Sequence, residues 1–382
     1  MKFFYLILIS ICLSTTTNWS QNRPQNNNQS ANYLNRSWRY VANNMPSEWY
    51  GSEEAKQVAE NILITQKNIG GWAKNKPYHH TLSATEKEEY LNTKDKVGGT
   101  FDNGSTITEL RFLAKVYTRL KDERYKQAFI KGIHYILISQ YSNGGWPQYY
   151  PTKEAEEEVR LDHTAPYSMH ITYNDNAMVN TMEFLKDIFL DEEDFTALKI
   201  NHHLKQKAET AFNKGVECIL NTQIVVNNKP TVWCAQHHET TLAPANARSY
   251  ELASFSGSES VGIVLLLMNI EHPSKKIINA IEGAVNWFET HKVEGIKIER
   301  VTLSDGTRDR IVVEDKDAPT LWGRFYDLET EKPYFASRDG IKKNTIAEIS
   351  YERRNGYSWY TSAPENVLKA YPDWKKKLNT HK

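Results

Sequence analysis

Two short polar runs are the first candidates for chemistry. Asp102-Asn103-Gly104 and Asp175-Asn176 each set a carboxylate beside an amide. Hard oxygen donors of this kind suit Ca²⁺. The same residue types also cap the free amides at a helix start, so capping is the competing reading for either run alone. No EF-hand loop is present, so a calcium site must be assembled from separate segments. A second group is arginine set among aromatics: Arg324 in Trp322-Gly-Arg-Phe-Tyr-Asp327, Arg338 in Ser337-Arg-Asp-Gly340, and Arg248 in Ala247-Arg-Ser-Tyr-Glu251. Such an arginine stacks on rings or forks onto a carboxylate, which can belong to a ligand or to a neighbouring side chain.

The elements that must position these residues repeat along the chain. Apolar residues at 55, 58, 59, 62 and 63 follow helical spacing and run into Gln66 and then Gly70-Gly71-Trp72. Ala128 to Ile138 does the same and runs into Gln140 and Gly144-Gly145-Trp146. Ala211 to Leu220 runs into Gln223 and Trp233. The Trp spacings are 74 and 87, and the Gln spacings are 74 and 83. A second helix in each unit opens after Phe101-Asp102, Tyr173-Asn174-Asp175 and Ser256 to Glu259, the acids lying 73 and 84 apart. Two landmarks sharing one period indicate an internal repeat. The reading is a mainly α chain: an irregular (α/α) toroid of about three helix-pair repeats with a small β-containing C-terminal portion. In a toroid the loops holding Asp102, Asn103 and Asp175 converge on one end. The β portion is expected as short strands around residues 295–301 and 310–313, joined through Ser304-Asp305-Gly306. Trp72 and Trp146 are expected as core wedges covering helix ends.

Composition narrows the partners. Lys+Arg and Asp+Glu both number 47 among 382 residues, so the basic excess of a nucleic-acid-binding chain is missing. At 40% hydrophobic and 25% charged, the chain can bury a sizeable core. Ten Trp and 21 Tyr offer flat faces that suit sugar rings, although most such residues fill cores. Lys2, the apolar run Phe3 to Leu13 and the small residues after it have the order of a secretory signal, too short to span a bilayer. The expected divisions are a signal peptide over 1–20, an Asn/Gln-rich flexible leader over 21–40, and one catalytic domain over 41–382. The protein is expected to be secreted and monomeric. Cys218 and Cys234 remain after the signal and could pair; no Cys/His spacing resembles a zinc site.

Six motifs in order, Asn143-Gly-Gly-Trp-Pro-Gln148, Tyr173-Asn-Asp-Asn-Ala-Met178, Trp233-Cys-Ala-Gln-His237, Ala247-Arg-Ser-Tyr-Glu251, Trp322-Gly-Arg-Phe-Tyr-Asp327 and Ser337-Arg-Asp-Gly340, resemble the family-10 pectate lyases. The resemblance spans roughly Glu53 to Tyr360. It implies a helical toroid and Ca²⁺-dependent cleavage of α-1,4-linked polygalacturonate by β-elimination. It further implies Arg248 as the base that takes the C5 proton. Asp102, Asn103 and Asp175 take the places of the metal ligands, and Asp102, Arg324 and Arg338 those of the groups holding substrate carboxylates. The chain departs from the family pattern at His238, where an acidic residue is expected.

The chemistry suits these residue types. Loss of the C5 proton builds negative charge beside the C6 carboxylate, which a bound cation and arginines stabilise. Arginine is a reluctant base, because it stays protonated at ordinary pH unless desolvation and neighbouring cations release a neutral fraction. Two rival readings remain at this level. A secreted glycoside hydrolase would use Asp102 and Asp175 as its carboxylate pair about 5–10 Å apart, with no metal. A non-catalytic pectin-binding protein would use the aromatic platforms and yield no product.

Overall fold

The computed structural model describes residues 30–153 and 167–380. The stretch read as a signal peptide lies outside these residues. Within the stretch read as leader, Ser30–Asn35 forms a 3-10 turn and helix α1 covers Trp38–Asn44. The further helices are α2 (Glu53–Thr65), α3 (Ala84–Asn92), α4 (Ile107–Leu120), α5 (Glu123–Ile138), α6 (Ala177–Phe189), α7 (Glu193–Thr196), α8 (His202–Thr222), α9 (Glu259–Met268), α10 (Lys275–Thr290), α11 (Tyr351–Gly356) and α12 (Pro364–Thr380). The strands are short and pair only two at a time, so no sheet closes among the described residues. The fold is a helical toroid, as the repeats implied.

Local chemistry sets the helices. Ser52 caps α2 by accepting from Ala55 N at 3.1 Å, and Ala55, Val58, Ala59 and Ile62 then bury one face. Helix α9 is apolar nearly all round and runs buried from Val261 to Leu267, apart from Gly262 and Leu265. Successive pairs pack as α4 on α5, α6 on α8 and α9 on α10, and α12 packs on both α9 and α10. The units read from the sequence are α2 with α4, α5 with α6 and α8 with α9, so the first three contacts join one unit to the next, and α10 with α12 adds a fourth unit.

One device recurs at the end of each first helix. Gln66 Nε2 donates to Gly70 O in its own turn and to Ala128 O in α5, both at 2.9 Å. Gln140 Nε2 repeats this on Gly144 O and on Ala211 O in α8, and Gln223 Nε2 on Thr231 O and on Ala280 O in α10. The tryptophans fix the same joints. Trp72, Trp146, Trp233 and Trp322 donate their indole N–H to Ile62, Ile136, Ile219 and Phe288 carbonyls, at 2.7–2.9 Å. Trp322 thus marks the fourth unit. Each indole donates to a carbonyl near the end of its helix, pinning the wedge there; the Ile62 carbonyl also accepts from Gln66 N at 3.2 Å. Trp72 and Trp146 are fully buried, the core wedges expected, so they present no face to a sugar.

The Gly-Gly turns are required by close approach. Gly144 has φ +93°, and a Cβ there would lie 2.0 Å from Lys214 O of α8. Gly70 has φ +116° and would meet Lys131 O of α5 at 2.5 Å. The C-terminal hairpin pairs Ile296–Thr302 with Arg308–Glu314, Ile296 opposite Glu314, around a turn in which Asp305 Oδ1 accepts from Thr307 N at 2.9 Å. Cys218 and Cys234 are both buried and free, so the open question of their pairing resolves against a disulfide.

Replacing Gln66 with Ala removes both bonds at the joint between α2 and α5 and takes the amide donor from the Gly70 carbonyl. The expected loss is about 2–4 kcal/mol, read as a lowered urea midpoint with little change in m-value. A variant within a few tenths of a kcal/mol of the parent would show the joint to be dispensable.

Candidate active site

The turns before α4 and α6 superimpose in conformation, but one residue out of the register expected from the acids. Asp102–Gly104 and Asn174–Asn176 are the two 3-10 turns, and their middle residues Asn103 and Asp175 have φ +53° and +51°. Asp102 therefore corresponds to Asn174, and Asn103 to Asp175. The left-handed position tolerates Asn and Asp alike, so the carboxylate changed place while the backbone kept its shape. Neither turn makes a side-chain capping bond, nor does the residue opening α4 or α6. The capping alternative does not hold for these acids.

The turns lie against each other, and the turn at Asn174–Asn176 lies against the start of α9. The sequence-derived residues divide between this point and an adjoining ring of arginines. Asp102 is 3% exposed; its Oδ2 pairs with Lys74 Nζ, and its Oδ1 is buried with no partner. Asn103 is exposed and donates from Nδ2 to Asn75 Oδ1 at 2.9 Å. Asp175 Oδ2 accepts from Asn174 Nδ2 at 2.9 Å, and Oδ1 stands 3.7 Å from Arg324 Nη2. Arg324 Nη2 also bonds Glu259 Oε1, and donates to Asn174 Oδ1 at 3.1 Å.

Around this point two tyrosines collect the arginines. Arg324 lies over the Tyr357 ring, 4.6 Å from its centroid. Arg248 lies 5.0 Å over Tyr250 and 5.9 Å over Tyr357. Arg248 grips Glu251 with two nitrogens, Nε to Oε2 at 2.7 Å and Nη2 to Oε1. Tyr357 Oη donates to the same Glu251 Oε1 at 2.7 Å. Arg338 stands further out, with a side chain 60% exposed, paired with Glu352 at 3.1 Å and 5.7 Å over Tyr250. Arg353, buried and 4.3 Å over Tyr250, completes the ring.

Charge is nearly matched at this end, with Asp175 as the residue. Lys74 takes Asp102, Arg248 takes Glu251 and Arg324 takes Glu259. Asp175 keeps only the longer contact to Arg324. Desolvation in the recess raises its pKa; Arg324 opposes this, and Asp102, Glu259 and Glu251 add to it. For Arg248, burial works to lower the pKa, but the Glu251 hydrogen bonds and charge prevail and hold it above the ordinary arginine range. Glu251 is correspondingly held below the usual carboxylate range: burial opposes this, and Arg248 outweighs it.

The donor set fits a hard cation in part. An orphaned buried oxygen on Asp102, a carboxylate on Asp175 short of positive charge, and the amide oxygen of Asn103 are all oxygen donors. Yet among the described residues no three His, Cys, Asp or Glu side chains stand close enough to hold an ion by themselves. A calcium ion takes six to eight oxygens, so the protein offers a partial shell.

Sequence reasoning missed Lys74, Glu251, Tyr357 and Arg353. Lys74 was accessible through the repeat, since it follows Trp72 by two residues as Gln148 follows Trp146. Glu251 lies one helical turn's spacing from Arg248. Tyr357 and Arg353 carried no such signal. The acid missing at His238 stands one residue on: Glu239 Oε2 meets His170 Nδ1 at 2.9 Å.

Lys74→Met leaves the buried Asp102 carboxylate without its cation. The expected cost is about 1–3 kcal/mol, measured by urea unfolding, with Lys74→Arg recovering most of it. Equal stability of the Met variant and the parent would contradict the pairing.

Comparison with known proteins identifies the family and the fold. The sequence profile described as pectic acid lyase matches residues 66–368. A mutant family 10 polysaccharide lyase from Cellvibrio cellulosa, solved in complex with trigalacturonic acid, is 32% identical, with 90% of this chain and 96% of that chain covered at a TM-score of 0.71. The family 10 polysaccharide lyase from Cellvibrio cellulosa in a second structure is 31% identical over 92% and 98% of the two chains, with a TM-score of 0.72. No curated protein sequence matches. With the profile spanning most of the chain and the solved structures covering 90% and 92% of it, this chain belongs to the pectic acid lyase family and is a polysaccharide lyase of family 10.

Proposed function

We propose that this lyase acts on polygalacturonate by Ca²⁺-dependent β-elimination, with Arg248 abstracting the C5 proton. The observation that carries the reading is the meeting of an oxygen-rich partial cation shell, at Asp102 and Asp175, with arginines stacked around Tyr250 and Tyr357. A polymer bearing one carboxylate per sugar satisfies both halves. Its carboxylates add the missing oxygens, and they are what the planar guanidinium groups bind bidentately. The neighbouring family 10 structure holds trigalacturonic acid, which has this chemistry. Lyase membership sets aside the hydrolase reading of Asp102 and Asp175, and the ion pair of Asp102 with Lys74 agrees.

When bound, Ca²⁺ withdraws electron density from the C6 carboxylate and makes the C5 proton more acidic. Asp102, Asn103 and Asp175 would hold it. Arg324 and, further out, Arg338 fix uronate carboxylates. Arg248, 41% exposed while its carboxylate partner is buried, points a guanidinium to the ligand side while Glu251 and Tyr357 lock its orientation. The C5–H bond breaks toward Arg248, the C4–C5 double bond forms, and the C4–O bond to the next sugar breaks, O4 leaving with a proton from water. The secretory-signal order of Lys2 and the Phe3 to Leu13 run supports placing the enzyme outside the cytoplasm. Among the described residues no helix is long and apolar enough to cross a membrane.

The test is ultraviolet absorbance of purified protein on polygalacturonate, with Ca²⁺ and then with EDTA. The expected outcome is absorbance from a 4,5-unsaturated product only with Ca²⁺, lost at least about a hundredfold in Arg248→Ala. Reducing ends without absorbance, or bound polymer without product, would overturn the reading. A pH profile adds a second check. Because Arg248 is held above its usual pKa, its neutral fraction grows about tenfold per pH unit below that value. The rate should therefore rise through the alkaline range, and Glu251→Gln, which removes the carboxylate holding the proton on, should move the rise to lower pH. A flat or acid-favouring kcat profile counts against arginine as base.

A further inference from the structure

Beside the turn that carries Asp102 and Asn103 lies a cavity of about 540 Å³ that the proposed mechanism does not use. That size suits a bound small ligand. One wall is Leu34 to Arg39, a segment before the 66–368 span matched by the family profile. The other wall is Asn75 to His80 and the start of α4.

The segment is held rigidly. Trp38 Nε1 donates to Glu109 Oε1 at 2.7 Å, and its ring stacks on His79 and meets the edges of Tyr78 and Phe112. Trp38 is the one described tryptophan that is only half-buried. Arg39 Nη2 donates to Asn103 O at 3.0 Å, and its guanidinium lies where a Cβ on Gly104 would come within 2.6 Å. The cavity thus shares Asn103 and Asn75 with the candidate cation site.

Its charge is one-sided. Arg36, Arg39 and Lys76 are exposed on the lining, and none forms an ion pair with another described residue. Other surface cations, such as Arg124 with Glu60 and Lys369 with Glu365, do have an acidic partner; here three cations without one share a single cavity. The only acid on the lining is Glu109, fully buried, its Oε2 without a partner. Burial pushes its pKa up to about 7, so at neutral pH it offsets about half of one of the three positive charges. Three unpaired cations beside a site for a polyanion would lose favourable contacts if the chain turned away from them.

We infer that this cavity is an additional subsite, built by the N-terminal segment, that binds a further uronate unit of the same polymer through Arg36, Arg39 and Lys76. The inference rests on the polygalacturonate reading above. Recognition is by charge and amide groups, because His79, Tyr78 and Phe112 already occupy the Trp38 ring.

The experiment is calorimetric binding of trigalacturonate and hexagalacturonate with Ca²⁺ present, in the Arg248→Ala protein so that turnover is blocked. The hexamer should bind about tenfold tighter than the trimer. Adding Arg36→Ala and Lys76→Ala, both at exposed positions, should remove most of that factor and leave trimer affinity within about twofold. Lys369→Ala with Lys376→Ala on α12 should leave the factor intact. Equal binding of both oligomers to Arg248→Ala, or an unchanged factor in the cavity variant, would overturn the subsite and leave the functional reading standing. Failure of either oligomer to bind at all would overturn the functional reading itself.

Discussion

The structure depends on a buried glutamine amide that serves two helices at once. Gln66, Gln140 and Gln223 each bond their own turn and a carbonyl of the next unit's first helix. A buried amide with both donors placed is costly to misplace, because stranded carbonyls carry the full desolvation penalty. The bond therefore fixes the step from one unit to the next. The Trp wedge and the glycine that lets the turn touch the neighbouring helix fix it further. Once the step is set, the turns that open the second helices must converge.

Convergence makes the chemistry and also makes it expensive. Asp102, Asp175, Glu251 and Glu259 crowd one end of the fold and raise one another's cost of ionisation, visibly at Asp175. Lys74, Arg248 and Arg324 offset three of the four. The remaining imbalance, with the orphaned Asp102 oxygen, is a place where a cation and a ligand carboxylate gain more than they would on an ordinary surface. The same arrangement keeps the Arg248 guanidinium aimed by Glu251 and Tyr357, at the expense of making it harder to deprotonate.

Much of this was legible in the sequence, for physical reasons. The helices and their period showed because burial of one helix face forces apolar spacing, and because the Gln and Gly-Gly-Trp landmarks are contacts rather than decoration. The hairpin of Ile296–Thr302 with Arg308–Glu314 showed through its turn residues. The register of the acids did not, since Asn and Asp are interchangeable in the left-handed position, and Asp175 answers to Asn103 rather than to Asp102. Tyr357 and Arg353 were invisible because their partners, Tyr250 and Glu251, lie about a hundred residues away. The fourth helix pair was hidden by the β-containing insertion between α10 and α12. The N-terminal segment from Ser30 looked like leader because its anchors, Trp38 on Glu109, His79 and Phe112 and Arg39 on Asn103, all lie far along the chain, which local composition cannot reveal.

The central claim is that the protein supplies only part of a cation shell and the uronate chain completes it. Calcium titration by calorimetry, on the Arg248→Ala protein with and without trigalacturonate, tests this directly. The account predicts weak binding of Ca²⁺ alone and binding at least about tenfold tighter with the trimer present, with the reciprocal gain in trimer affinity that linkage demands. Calcium affinity that is unaffected by the trimer, whether tight or absent, would contradict it.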